Sequence, residues 1–525
     1  MRFPARARRG LDRALRSARA GAAEGALGSA LGRIRSRTAA SAPRPGGVAE
    51  PQTRADTAAP DWNRQLPSTL TTAEAVTALA LDNAHLRARV GAEPWEGPAV
   101  ADPTDEQRAL AAEYLAGQQP ARVGAPSPAR PDAPGTRHLV IVHNYPRPGA
   151  EYGNGFVHRR VRLYQQAGVA VDVVVTGTKV PQEIYEYDGV RVLSGSGPVL
   201  RGLLAAVEAG AGLRGTYTSA STHFLNEYLW ASVGEYRSAL DWYVYIHGFE
   251  ARHWVRTLCN VGLDDPRLPA HVAATERRQR FWRHVLDAAD GPAGYVFVSD
   301  WWRRACQEDM HVDFPAERTS VINNVIDDAV FHPGAGAAAR TAEDRFRLVW
   351  VRSASRPNYA ADLAARALAE LRSSRHWERL QITVIGEGPH LREFSERLDG
   401  EPNVRIEQRF ASQREVGELY RSHGIALVPS RLDTQGVSRD EAMACACVPV
   451  TNAVAAIPEF VDGTESVLAP PEDVQAMAEG ILALLDDPAE YLTRAQRALR
   501  NVRGRSLPEQ TVGRELALMG LRPEA

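Results

Sequence analysis

Two carboxylates stand eight positions apart in the segment Val428-Pro429-Ser430-Arg431-Leu432-Asp433-Thr434-Gln435-Gly436-Val437-Ser438-Arg439-Asp440-Glu441-Ala442-Met443. The pattern predicts a strand, a loop and a helix. Gly436 permits close backbone approach, and the helix after it offers unpaired N–H groups to an anion. Asp433 and Glu441 bracket that anion site as hydrogen-bond acceptors, for which sugar and ribose hydroxyls are natural partners. A second reading fits the same residues: Ser438 and Glu441 have the spacing of a capping box, in which Glu441 only ties off the helix. Local spacing leaves both readings open.

The supply of cations is narrow. Lys179 is the sole lysine, so a cation placed at a phosphate is an arginine. No Asp-x-Asp occurs in the sequence, which argues against a metal-bridged diphosphate site of that type. Arginine and a helix N-terminus can carry the charge instead, and neither a metal nor a cofactor is expected. The four cysteines, Cys259, Cys306, Cys445 and Cys447, form no CxxC pair and no zinc-ligand spacing. They read as buried thiols in a reducing compartment.

These residues need a frame that brings distant segments together. From His138 onward, short apolar runs alternate with helical segments. Strands are expected at 138–143, 169–175, 242–246, 295–298, 346–351, 381–385, 404–406, 425–429 and 448–451. Helices are expected at 155–167, 360–371, 391–398, 413–422 and 439–445. Apolar strands alternating with helices indicate parallel sheets covered on both faces, in two halves that meet near Asn323–Pro333 around a cleft. Ligands of such sheets bind beyond the carboxyl ends of the strands. A chain of 525 residues, 44% hydrophobic and 24% charged, is long enough for two or three such domains. Its formal net charge of -2 excludes a bulk attraction to nucleic acid.

Residues 1–60 are rich in Arg, Ala, Gly, Ser and Pro, and read as a disordered basic tail. Within it, Leu11 to Ile34 has the spacing of a basic amphipathic helix suited to anionic lipid or to a partner. Residues 61–135 read as a helical extension, with helices at 71–89 and 106–116 free to pair with themselves or another chain. A Pro-rich linker, Pro120 to Pro134, follows. No apolar run reaches about 18 residues and no signal-peptide core is present. The expected location is the cytoplasm, with peripheral contact at the inner face of the membrane.

The Pro429–Met443 segment resembles the signature of the family 4 retaining glycosyltransferases (glycosyl transferases group 1): Pro-Ser-Arg, a Glu, seven residues, a second Glu, then Ala-Met. Asp433 takes the first acidic position and Glu441 the second. Gly386-Glu387-Gly388-Pro389 resembles the family's Gly-acid-Gly-Pro turn. Val321–Asp327, with Phe331 and Pro333, resembles its interdomain stretch, and Val298-Ser299 its Val-Ser turn. The resemblance spans roughly residues 138–515.

It implies a GT-B fold: two Rossmann-like domains, 136–335 for the acceptor and 336–525 for the donor. It further implies transfer of a sugar from a nucleoside-diphosphate sugar to a hydroxyl of a glycan, lipid or polysaccharide, with retention and without metal. By the same resemblance, Glu441 binds the donor ribose and Asp433 faces the sugar. Backbone N–H groups around Gln435, Gly436 and Val437 meet sugar and phosphate, with Gly386 beside them. Arg352 and Arg356 neutralise the diphosphate, although the spacing of Arg356 differs from the family's. His247, at the end of the 242–246 strand, lies near the transferred sugar, with a capped structural histidine as its alternative. Gly153 and Gly155 belong to a glycine-rich acceptor loop. The sequence departs from the family at Asp433 and at Gln435, where an aromatic residue is usual, and both departures imply an altered sugar preference. A nucleotide-sugar epimerase and a non-catalytic sugar-nucleotide-binding scaffold subunit are the alternative functions.

Overall fold

The computed structural model describes residues 95–118, 137–150, 153–262, 265–334 and 340–521. The stretches 11–34, 71–89 and 120–134, for which a basic helix, a second helix and a linker were expected, lie outside these residues. One compact unit takes Trp95–Arg252 together with Phe281–Ala525 and holds both sheets. A second unit includes His253–Arg280, where Trp254, Val255, Leu258 and Leu268 form a small apolar cluster of their own.

The first sheet has eight strands: β1 (Arg137–Val142), β2 (Ala170–Thr176), β3 (Glu183–Tyr187), β4 (Val190–Gly195), β5 (Ser219–His223), β6 (Trp242–Ile246), β7 (Gly294–Phe297) and β8 (Thr319–Val321). Their spatial order is β3-β4-β2-β1-β5-β6-β7-β8, and every pair is parallel except β3 with β4. The second sheet comprises β9 (Arg347–Val351), β10 (Gln381–Gly386), β11 (Val404–Gln408), β12 (Ile425–Leu427), β13 (Val448–Asn452) and β14 (Val467–Ala469), ordered β11-β10-β9-β12-β13-β14 and all parallel.

Most central strands are unbroken apolar runs, as burial on both faces demands. β5 is the exception. Its residues Ser-Ala-Ser-Thr-His are all buried. The polar groups are paired within the sheet: His138 on β1 joins Ser219 Oγ at 2.9 Å and Ser221 Oγ at 2.8 Å. Trp242 Nε1 donates to Thr222 Oγ1 at 2.6 Å. Pairing of this kind removes the cost of burying polar atoms.

The helices that bear on the site are α1 (Asp105–Ala116), α2 (Gly155–Gln166), α3 (Gly197–Ala209), α4 (Asp300–Met310), α5 (Ala361–Glu370), α6 (Arg392–Leu398), α7 (Gln413–Ser422), α8 (Val437–Ala444), α9 (Val474–Asp486), α10 (Pro488–Arg503) and α11 (Pro508–Leu518). α1 starts with a capping box between Thr104 and Gln107. It was expected to be free for self-association. Instead its Ala111 and Tyr114 are buried in the first core with Leu200, Leu203 and Leu204 of α3, and the Tyr114 hydroxyl accepts from Val173 N at 2.9 Å. The second core gathers β9, β10, β12 and β13 with α5, α6 and α9.

The chain crosses between the halves twice. The first crossing runs through Asn323–Pro333, where the sequence places it. The second lies after α10, and it returns the chain to the first sheet. Val512 and Leu516 of α11, with Met519 just after it, share a core cluster with Val140, Val157 and Val173. Glu515 accepts from Arg160 Nε at 2.8 and 3.0 Å and from the Tyr164 hydroxyl at 2.6 Å, all fully buried. The last helix thus completes the first half, although 336–525 reads in sequence as one domain. The two crossings touch: Ile326 N donates to Ser506 O at 2.7 Å. The four cysteines are buried free thiols. No helix among the described residues is long and apolar enough to cross a membrane.

Candidate active site

In the second sheet the strand order reverses between β9 and β12, and the loops after these strands flank the resulting crevice. Arg352 follows β9, and Pro429–Gly436 follows β12. Arg352 Nη1 donates to Pro429 O at 2.6 Å and to Ser430 Oγ at 3.3 Å. Its Nη2 lies 3.7 Å from Asp433 Oδ2, and its Cζ stands 5.1 Å over the Tyr359 ring. These contacts fix the guanidinium at the crevice. Gly386 shapes the same loop: a Cβ there would lie 2.2 Å from Arg352 O, so only glycine lets the two strand ends approach. Arg356 is not held beside Arg352. It is exposed, and its side chain makes no hydrogen bond or ion pair among the described residues.

Asp433 closes the β12–α8 loop. Its Oδ1 accepts from Gln435 N at 3.1 Å and from Gly436 N at 2.7 Å. Two of the N–H groups that the resemblance assigns to sugar and phosphate therefore point to Asp433 in this structure. Gly436 is the N-cap of α8 at φ +92°, a conformation that favours glycine. Helix α8 begins at Val437, so Ser438 and Glu441 are its second and fifth residues, and no side chain caps it. The capping-box reading of Glu441 is thereby corrected: the spacing is present but the helix starts too early to use it.

Glu441 projects from α8 into a buried place, 6% exposed. Its nearest cation is Arg159 Nη1, 3.7 Å from Oε1, beyond hydrogen-bond distance. Burial pushes its pKa up to about 7; Asp440 adds to the rise, and Arg159 and Arg352 oppose it. Gln435 behaves differently from its expected role. Its side chain is buried and turns to the first crossing, where Oε1 accepts from Asn324 N at 2.6 Å and Nε2 donates to Asn324 O at 3.3 Å and to Asp440 Oδ2 at 3.1 Å. Asp440 also accepts from Arg439 and from Arg505 Nη1 at 2.8 Å. A buried ionic network thus anchors the start of α8.

The loop reaches the first sheet as well. Thr434 Oγ1 donates to His247 O at 2.8 Å, and Ser299 Oγ donates to Thr434 O at 2.7 Å. Ser299 is at the same time the N-cap of α4, accepting from Trp302 N. His247 follows β6; its Nε2 lies 2.8 Å from His223 Nδ1, and its ring stacks on that of His223. Its Nδ1 is buried without a partner among the described residues. Burial first, then Arg160, holds the His247 pKa well below the usual range, so the ring is neutral. Glu250 ties the turn after it, accepting from His247 N and from Gly248 N at 2.9 Å. On the β1–α2 loop, a Cβ on Gly153 would meet Tyr145 O at 2.8 Å, whereas Gly155 opens α2 with no crowding.

Sequence reasoning passed over Arg159, and it marked Ser299 only as part of a Val-Ser turn and Thr434 only as a residue of the signature loop. Arg159 was visible as a helical position four residues after Gly155, on the same face. Thr434 and Ser299 carry no such signal, because their role depends on how the two halves meet. Among the described residues, no group of three or more His, Cys, Asp or Glu could hold a metal ion.

Two parallel sheets with facing carboxyl ends and a double crossover are the GT-B architecture. A sucrose-phosphate synthase from Thermosynechococcus elongatus superposes with TM-score 0.55 at 18% identity, covering 73% of this chain and 98% of that one. Anabaena HepE in complex with UDP and glucose superposes with TM-score 0.50 at 14% identity, covering 72% and 98%. Residues 345–487 match the family described as glycosyl transferases group 1. A D-inositol 3-phosphate glycosyltransferase of Kineococcus radiotolerans is 30% identical over 410 residues, 70% of this chain and 91% of the relative. One from Kribbella flavida is 30% identical over 201 residues, 36% of this chain and 47% of the relative. The chain belongs to the group 1 glycosyltransferases and is a glycosyltransferase.

Proposed function

We propose that the protein transfers a sugar from a nucleoside-diphosphate sugar to an acceptor hydroxyl, with retention at the anomeric carbon and without a metal ion. The observation that carries this reading is Glu441, a buried carboxylate with no side-chain hydrogen bond among the described residues, on a helix whose N-terminus faces the crevice beside Arg352. Such a carboxylate is suited to the two hydroxyls of a ribose. Arg352 and the start of α8 then lie where a diphosphate needs charge.

The leaving group gains negative charge as the glycosidic bond breaks. A preorganised guanidinium stabilises that state more than the ground state. The departing phosphate accepts the proton of the attacking hydroxyl on the same face, and no protein nucleophile is required. His247, neutral and with an Nδ1 unpartnered among the described residues, would hydrogen-bond a sugar hydroxyl. Arg356, exposed on its loop, joins the diphosphate only if that loop folds inward.

The test is turnover with UDP-sugars, which the complexes of structural neighbours make the first probes, and with D-inositol 3-phosphate, named for the relatives, as the first acceptor. A product of unchanged anomeric configuration by NMR and turnover that survives excess EDTA are expected. Arg352→Ala should lower kcat by about 10²–10³. An inverted product, or EDTA loss restored by manganese or magnesium, overturns the reading. Glycans and lipid-linked hydroxyls are the further acceptor classes, and the basic segment before residue 60 would hold the enzyme near a membrane surface in the cytoplasm.

A further inference from the structure

Arg159 is carried by the first sheet's helix α2, yet every group it meets lies on the first crossing or in the second half. Its Nη2 donates to Gln413 at the start of α7. Its Nε lies 3.9 Å from Asp327 Oδ2, its Cζ 5.5 Å from the Phe331 ring, and its Nη1 3.7 Å from Glu441 Oε1. The side chain is 8% exposed, and Nη1 is buried without a hydrogen-bond partner among the described residues. One N–H group is therefore within ion-pair range of a carboxylate that makes no side-chain hydrogen bond among the described residues, across a gap slightly too long for a hydrogen bond.

We infer that Arg159 is a positioning residue for the donor: it holds the Glu441 carboxylate oriented and ionised for the ribose, so that the first half completes the nucleotide site of the second. The inference rests on the proposed role of Glu441. Arg159 serves here through Glu441 and touches no reacting atom. The charged and titratable groups that face Glu441 are Arg159 from α2, Arg352 from the end of β9, Asp440 and Cys445 beside it in the chain, and Tyr420 from α7. Burial has pushed Tyr420 and Cys445 well up, so they are neutral. Only Arg159 and Arg352 favour the carboxylate, and Arg159 is the larger influence.

The test is calorimetric titration of the full chain with UDP and, in parallel, GDP, across about pH 5.5–9, the range that spans a carboxylate titrating near 7. Wild-type affinity should fall as pH drops through about 7. Arg159→Met should move that midpoint up by about one unit, weakening binding about fivefold at about pH 7 and about tenfold at the acid end, while affinity returns at the alkaline end. Arg159→Lys should keep the midpoint near wild type. An Arg159→Met midpoint equal to wild type overturns the inference, whether affinity is unchanged or uniformly lower at every pH. Glu441→Gln separates the two claims. Loss of affinity in Glu441→Gln with an unshifted Arg159→Met midpoint sinks only the role of Arg159. Undiminished nucleotide affinity in Glu441→Gln, or no binding of either nucleotide to wild type, sinks the ribose reading itself and the inference with it.

Discussion

Gln435 and Asn324 exchange a pair of hydrogen bonds, side-chain amide to peptide, that fastens the β12–α8 loop to the chain crossing between the two halves. The partner of the amide is backbone, so the contact depends on the path of the crossing and not on the identity of Asn324. Gln435→Ala should leave the buried Asn324 N–H without an acceptor and lower stability by about 1–3 kcal/mol. The ranking of donor sugars should stay as in wild type, since the side chain turns away from the crevice. Melting and a donor panel on the same variant check both statements; a changed ranking with unchanged melting would reinstate Gln435 as a sugar contact.

Asp433 has two jobs on its two oxygens: Oδ1 accepts the loop N–H groups, and Oδ2 faces Arg352. Asp433→Asn keeps an acceptor for the loop, so melting should stay near wild type while turnover falls with the lost charge. Asp433→Ala should lose both, with a stability cost of about 1–3 kcal/mol, because the Gln435 and Gly436 N–H groups lose their acceptor. Equal melting of the Asn and Ala variants would show that the loop bonds contribute nothing.

His138, buried between two serine hydroxyls, has its pKa lowered to about 3, with burial the main cause. The folded pKa lies below the unfolded one, so its contribution is present above about 6.5 and is lost as pH falls toward 3. His223 and His247, both shifted well down by burial, act in the same direction. Glu250, raised to about 7, acts oppositely: its contribution is present at low pH and is lost as pH rises through 7. Below about 4.5 the glutamate no longer contributes a slope and the histidines prevail. His138→Gln should make the acid side of the stability curve shallower, by at most about 1.4 kcal/mol per pH unit. Denaturant unfolding at a series of acidic pH values measures it, and a parallel curve for the variant contradicts the assignment.

Arg160 and Glu515 form a fully buried ion pair between α2 and α11. Burial pushes the Glu515 pKa up while Arg160 pulls it down. Removing one partner leaves an uncompensated charge, so Glu515→Ala should cost about 3–5 kcal/mol. The double variant Arg160→Met with Glu515→Leu should recover much of that loss. A double variant no more stable than the single one would place the stabilisation elsewhere in α11.

The parts legible in sequence were those written in hydrophobic period. Strands β2, β6, β9, β10 and β13, and helices α5 and α7, fall within a residue or two of where apolar runs and caps put them. Strand β5 was illegible because Ser219, Ser221, Thr222 and His223 look like a loop until His138 and Trp242 are beside them. At the site, Arg352, Asp433 and Glu441 could be picked out from one segment and a strand end. The direction of Gln435 could not, since it is decided by Asn324, more than a hundred residues away. The exposure of Arg356 follows from a loop whose spacing already departed from the family's.

The contact between Ile326 and Ser506 sets how the molecule can flex. Two chain segments lying side by side act as a door hinge with two leaves pinned on one line. They permit opening about that line and resist the swivelling that a single linker would allow. A protease cut through either segment leaves the halves still joined by the other. A chain shortened just before Pro508 loses a wall of the first half while its own neighbours in sequence stay folded, so damage at the tail should surface at the opposite side of the crevice.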